Sequence, residues 1–135
     1  MSEKVCVITG GTSGIGKCTA EAMRQKGYAV YELSRRETGV AGFVHIPTDV
    51  TKPEMVDAAI AEVLRQEDHI DVLINNAGFG VSGAVEFTEP AAAKKQLEVN
   101  FFGMVNVCHA VLPVMRGAGH GRIVNLSSVA GVVPI

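Results

Sequence analysis

The chain has 135 residues, 47% hydrophobic and 19% charged, with a formal net charge of −2 and a pI near 6.1. That is the composition of one soluble globular domain, and it excludes a basic nucleic-acid surface and a charged tail. With no Trp and few Tyr and Phe, a base-stacking platform is not expected either.

The N-terminus "MSEKVCVITGG" has no long apolar core, and no uninterrupted apolar stretch of about 18 residues follows, so neither a signal peptide nor a membrane span is expected. Cys6, Cys18 and Cys108 are irregularly spaced, with no metal-binding CxxC, and read as reduced thiols of a cytoplasmic protein. Cys18 sits near a predicted helix N-terminus, which makes it a candidate oxidation site. The four histidines do not cluster, and no metal site is expected.

In chain order, "KVCVIT" (4–9) is apolar on successive residues, as in a parallel strand covered on both faces. "GIGKCTAEAMRQKG" (14–27) reads as a helix with Ile15, Cys18, Ala22 and Met23 on its apolar face and Gly27 as its stop. "YAVYELS" (28–34) and "GFVHIPT" (42–48) are the next strands. "TKPEMVDAAIAEVLRQE" (51–67) is a helix whose Thr51 and Glu54 have capping-box spacing, with an apolar stripe of Val56, Ala59, Ile60, Val63 and Leu64. "DVLIN" (71–75) is a fourth strand, and a glycine-rich loop follows.

Residues 89–117 read as a helix with a break near Asn100 and one face made by Phe101, Met104, Val105, Cys108, Leu112 and Met115. An interior proline costs about 3 kcal/mol, so Pro113 predicts a local bend. "GRIVNLS" (121–127) is a fifth strand. Strands alternating with helices predict a doubly wound parallel α/β sheet of Rossmann type, with about five strands, in one domain over 1–135.

"TGGTSGIG" (9–16) packs four glycines and three hydroxyl side chains between the first strand and the first helix. A helix N-terminus offers unpaired N–H groups, and glycines let the backbone approach a pyrophosphate closely. Thr9, Thr12 and Ser13 can hydrogen-bond the loop or the phosphates. An ordinary tight turn is the alternative reading of these residues alone.

"TGGTSGIG", "DV" (49–50), "NNAG" (75–78), "VN" (99–100) and "RIVNLSSVAG" (122–131) together resemble, in order, the motifs of the short-chain dehydrogenase/reductase family. The resemblance implies that Gly10, Gly14, Ile15 and Gly16 wrap the pyrophosphate of a nicotinamide dinucleotide. It places Asp49 and Val50 at the adenine, and Asn76, Ala77 and Gly78 beside the nicotinamide ribose. Ser34 stands where NAD-using members carry an acid, and Arg35 and Arg36 follow it. An Arg there can grip a 2′-phosphate, which favours NADP(H) over NAD(H). Glu32 is the competing acid, on the same strand face as Ser34 but further from the cofactor end. Solvated loop charges are the plainer reading of the arginines.

The resemblance further implies hydride transfer between the nicotinamide and a carbonyl or alcohol, with a tyrosine as general acid/base beside a lysine. Ser128 fits the substrate-binding serine, with Ser127 as its alternative, and Asn100 fits the relay asparagine. A helix-break residue bonding local backbone is the alternative for Asn100. The only tyrosines are Tyr28 and Tyr31, and there is no Tyr-x-x-x-Lys. The chain therefore reads as the cofactor part of a longer enzyme, truncated before that pair, or else as a non-catalytic NADP(H)-binding module. "FGVSGAVEF" (79–87) suggests an apolar substrate, and the full-length protein is expected to form a homo-oligomer.

Overall fold

The structure, a computed structural model, describes residues 3–37 and 42–134. Five strands form one parallel sheet: β1 (Val5–Thr9), β2 (Ala29–Ser34), β3 (Val44–Pro47), β4 (Val72–Asn75) and β5 (Arg122–Asn125). Their spatial order is β3-β2-β1-β4-β5, so the chain reverses direction of travel across the sheet at the β1/β4 boundary. Ligands of open α/β sheets bind outside the carboxyl ends of the strands at such a point.

β1 is buried along its whole length because alternate residues serve opposite layers. Val5 and Val7 join Tyr31, Leu33 and Leu73 beneath two helices, α2 (Pro53–Glu67) and α4 (Met104–Ala118). Cys6 and Ile8 face the other way with Val30, Val72 and Ile74, under α1 (Gly14–Gln25). Burial pushes the Cys6 thiol up to about 12. Each fully buried valine contributes roughly 2 kcal/mol.

Three expectations change. The inward face of α1 is Gly16, Ala20 and Met23, whereas Ile15, Cys18 and Ala22 are exposed. At Gly16 there is no room even for a Cβ, which would meet the Gly10 carbonyl oxygen. The Thr51 hydroxyl donates to Asp49 Oδ1 at 2.7 Å, so no capping box forms and Lys52 is the uncapped N-cap of α2. The inward residues of the second half of the 89–117 stretch are Gly103, Val107, Val111 and Met115, whereas Phe101, Val105 and Leu112 face out.

The helix expected over 89–117 is three pieces: α3 (Pro90–Leu97), a π-helical segment (Glu98–Gly103) and α4, which continues through Pro113. The π segment carries the break expected at Asn100. Pro90–Ala118 has the length and apolar composition of a membrane span, which core helices packed on a sheet also have. Its α4 portion packs on the sheet through Val107, Val111 and Met115. Among the described residues β5 lies at an edge of the sheet, with Val124, and Leu126 just after it, exposed.

A polar cluster closes the opposite end of the sheet. Asp71 Oδ2 accepts from the Val5 N–H at 2.7 Å and lies 3.1 Å from His69 Nε2. Asp68, left-handed at φ 61°, ends α2 and places its carboxyl 2.9 Å from His69 Nδ1. That contact, with the Glu67 carbonyl and Asp71 adding to it against the opposing effect of burial, raises the His69 pKa. A raised pKa stabilises the fold below the unfolded value of about 6.5 and loses that stabilisation as pH rises through the folded value. Urea unfolding of the intact protein between about pH 6 and pH 9 should show stability falling with pH, and His69→Asn should flatten the slope.

Candidate functional site

The carboxyl ends of β1, β2 and β4 open into one cleft of about 590 Å³. Gly10, Thr12, Ser13, Ile15 and Gly16 line it from the loop after β1. Ser34, Arg35 and Arg36 line it after β2, Asp49 and Val50 after β3, and Asn76, Ala77 and Gly78 after β4. Of the residues expected to touch a dinucleotide, only Gly14 is not in its wall. Gly14 begins α1 at φ +54°, with open space where a Cβ would be. Leu33, Thr48, Phe79 and Val99 also line the cleft and were not expected.

Hydrogen bonds between the first and fourth strand ends fix the glycine loop. Thr9 is buried, and its Oγ1 accepts from the N–H groups of Asn76 at 3.1 Å and Ala77 at 3.0 Å. Thr9 therefore holds the loop after β4. Asn76 Nδ2 donates to the Gly10 carbonyl at 3.0 Å, and the Gly10 N–H donates to the Leu33 carbonyl at 3.0 Å. Gly10 is left-handed at φ +66°. A Cβ on Gly16 would meet the Gly10 carbonyl oxygen at 2.2 Å.

At the start of α1 the Ser13 side chain makes no capping bond. The first intrahelical donor is Lys17, whose N–H reaches the Ser13 carbonyl, leaving the first-turn donors to face an anion. Across the cleft, Asp49 Oδ1 accepts from the Thr51 N–H and hydroxyl, an Asx turn. The Thr51 hydroxyl, with further help from the backbone and from Arg35, outweighs burial and holds the Asp49 carboxyl below its usual range. Arg35 and Asp49 line the same cleft.

Asn100, within the π segment, clasps the loop after β4. Its Oδ1 accepts from the Phe79 N–H at 2.9 Å, and its Nδ2 donates to the Phe79 carbonyl at 2.7 Å. The backbone it bonds is not the local backbone of the alternative reading, since the partner lies 21 residues away. Asn100 also lines a small hollow of about 20 Å³ with Thr9, Asn75 and Leu126, room for one water molecule. Ser128 lies outside the main cleft, in the loop after β5. Its Oγ accepts from the Ala130 N–H and caps a single 3-10 turn. Asn75 Nδ2 ties β4 to β5 through Asn125 Oδ1 at 2.9 Å.

Sequence reasoning missed the part Glu32 plays. It is 2% exposed beneath the glycine loop, and its Oε2 accepts from the Gly11 N–H at 3.2 Å. Its other oxygen, Oε1, meets Ser34 Oγ and His45 Nδ1, so both carboxyl oxygens are engaged inside the chain rather than facing the cleft.

Residues 4–135 match the family described as short chain dehydrogenase. The chain belongs to that family. A 3-ketodihydrosphingosine reductase of Bacteroides thetaiotaomicron is 42% identical, with all of this chain covering 51% of that protein. A probable short-chain type dehydrogenase/reductase, VdlC, of Helicobacter pylori is 40% identical over 96% of this chain and 49% of its own length. The chain thus spans about half the length of these relatives. Among solved structures, the ligand-free aldohexose dehydrogenase of Thermoplasma acidophilum superposes with a TM-score of 0.91 at 35% identity, over 95% of this chain and 50% of that one. ElxO with NADP bound gives 0.91 at 28% identity, over 98% of this chain and 58% of that one.

Proposed function

We propose that this chain is the cofactor-binding part of an NADP(H)-dependent oxidoreductase that transfers hydride between the nicotinamide and an apolar carbonyl or secondary alcohol. The observation that carries this reading is the single cleft joining the glycine loop to Arg35 and Arg36 on one side and to Asn76–Gly78 on the other.

The residues fit the cofactor in each part. First-turn N–H groups of α1, with Thr12 and Ser13, would hold the pyrophosphate. Arg35 and Arg36 would take the 2′-phosphate, and the Asp49 oxygen outside the Asx turn would accept from the adenine amino group. The bound cofactor supplies or accepts the hydride. Asn100 keeps the loop over the nicotinamide end closed on the π segment, and the adjacent hollow would hold a water on the proton path.

The tyrosine and lysine that the family's chemistry needs are not supplied by these residues. Tyr31 is buried, and its hydroxyl donates to Glu67 at 2.7 Å. Burial and that carboxylate raise its pKa well above the ordinary range, so it cannot serve as the acid/base. That observation favours a second reading, an NADP(H)-binding module without catalysis, for any protein that ends without the pair.

The substrate class rests on Phe79, Val81, Val85 and Phe87, which expose an apolar wall after β4, and on the ketone named in the Bacteroides relative. Phe101 and Leu112, exposed on the π segment and α4, support a further packing partner, either the rest of the polypeptide or a second subunit.

The test is NADPH consumption by the intact protein with a long-chain 3-ketone and with an aldohexose. Turnover is expected with the ketone. Saturable NADPH binding with no turnover of either would establish the non-catalytic reading instead.

A further inference from the structure

Ser34 stands at the cleft wall where the adenosine ribose would lie, and its hydroxyl has one proton. Ser34 Oγ is 2.6 Å from Glu32 Oε1 and 3.0 Å from the Arg36 carbonyl oxygen. Both neighbours are acceptors, and the carboxyl contact is the shorter. The proton is therefore taken inside the chain, and what Ser34 presents to the cleft is a lone pair. A lone pair accepts from a ribose 2′-hydroxyl and has nothing to give a 2′-phosphate.

Glu32 is built in firmly enough to hold that direction. Its Oε2 accepts from the Gly11 N–H, and its Oε1 also lies 2.9 Å from His45 Nδ1 on β3. A Cβ on Gly11 would sit 2.7 Å from Glu32 Cγ, so the glycine loop rests directly on this side chain. One buried carboxyl group thus joins the pyrophosphate loop, the ribose end of β2 and the neighbouring strand.

We propose that Glu32, acting through Ser34, is a positioning residue that sets cofactor choice: it keeps the ribose end open to the unphosphorylated dinucleotide, against the pull of Arg35 and Arg36. The inference rests on reading the cleft as a nicotinamide dinucleotide site. It makes the site one that accepts both cofactors, with a modest preference for the phosphorylated form.

Calorimetric titration of the intact protein with NADPH and NADH tests it, using Glu32→Gln and Ser34→Ala. In Glu32→Gln the amide oxygen keeps the Gly11 contact and the amide nitrogen donates to Ser34, while the acidic charge near the phosphate is lost. The NADPH-to-NADH affinity ratio should rise at least about fivefold. Ser34→Ala should weaken NADH by roughly three- to tenfold, the effect of one neutral hydrogen bond, and leave NADPH within about twofold.

A loss shared equally by both cofactors in Glu32→Gln would make Glu32 merely structural and overturn the proposal. If Glu32→Gln fails to fold, Ser34→Ala decides alone, and a selective loss of NADPH there would show that Ser34 donates to the phosphate and overturn it. Wild-type protein that binds neither cofactor would remove the underlying reading, a result distinct from a wild type that binds both while the variants leave the ratio unchanged.

Discussion

Gly16→Ala is expected to destabilise the fold by about 3 kcal/mol and to abolish dinucleotide binding. The new methyl carbon would sit 2.2 Å from the Gly10 carbonyl oxygen and 2.3 Å from Asn76 Nδ2. Those two atoms are already hydrogen-bonded to each other at 3.0 Å, so the methyl drives into the bond that ties the loops after β1 and β4 together. Neither neighbour is the free end of a flexible chain. The Gly10 carbonyl is backbone, and the Asn76 amide is held by its contact with that carbonyl. Gly14→Ala is the control. Open space surrounds its Cβ position, and the cost is the left-handed backbone at φ +54°, about 1 kcal/mol. Urea unfolding and NADPH titration of the two variants should separate a filled cradle from a strained turn. Equal behaviour of the two variants would contradict the packing argument.

Arg35→Ala should weaken NADPH binding by about 1–3 kcal/mol, the range for a charge-assisted hydrogen bond, and leave NADH nearly unchanged. Arg35 lines the cleft beside Ser34 and helps hold the Asp49 carboxyl low, so removing it takes away one of the two cations, Arg35 and Arg36, on that wall. Combined with the lone pair that Ser34 presents, the variant should come to prefer NADH. Equal weakening of both cofactors would remove the 2′-phosphate role from Arg35.

Much of this was legible because the informative residues are contiguous. The burial of successive residues in "VCVIT" is visible in the sequence, and so is the glycine loop that must follow a parallel strand there. The direction in which an amphipathic helix faces was less so. Phe101, Val105 and Leu112 are apolar but face out, while Val107 and Val111 turn onto the sheet and Gly103 lies against Val50. Periodicity marks an apolar stripe without saying whether the sheet or another surface covers it.

Thr51 and Glu54 had the spacing of a capping box, but Asp49, two residues upstream, competes for the Thr51 hydroxyl and wins it. Glu32 was weighed only as a ribose ligand. Its partners Gly11 and His45 lie 21 and 13 residues away and meet it only once β1, β2 and β3 pair, so no local pattern announces the contact. The grip of Asn100 on Phe79 depends on a π segment that turns the amide toward a loop 21 residues away, which no local pattern shows.

The most direct test of the central claim is a calorimetric titration of the intact protein with NADPH, followed by displacement with NADH. Saturable binding at one site per chain, with NADPH the tighter ligand, is the result predicted from a cleft that joins the glycine loop to Arg35 and Arg36. No binding of either dinucleotide, or NADH binding clearly tighter than NADPH, would contradict it.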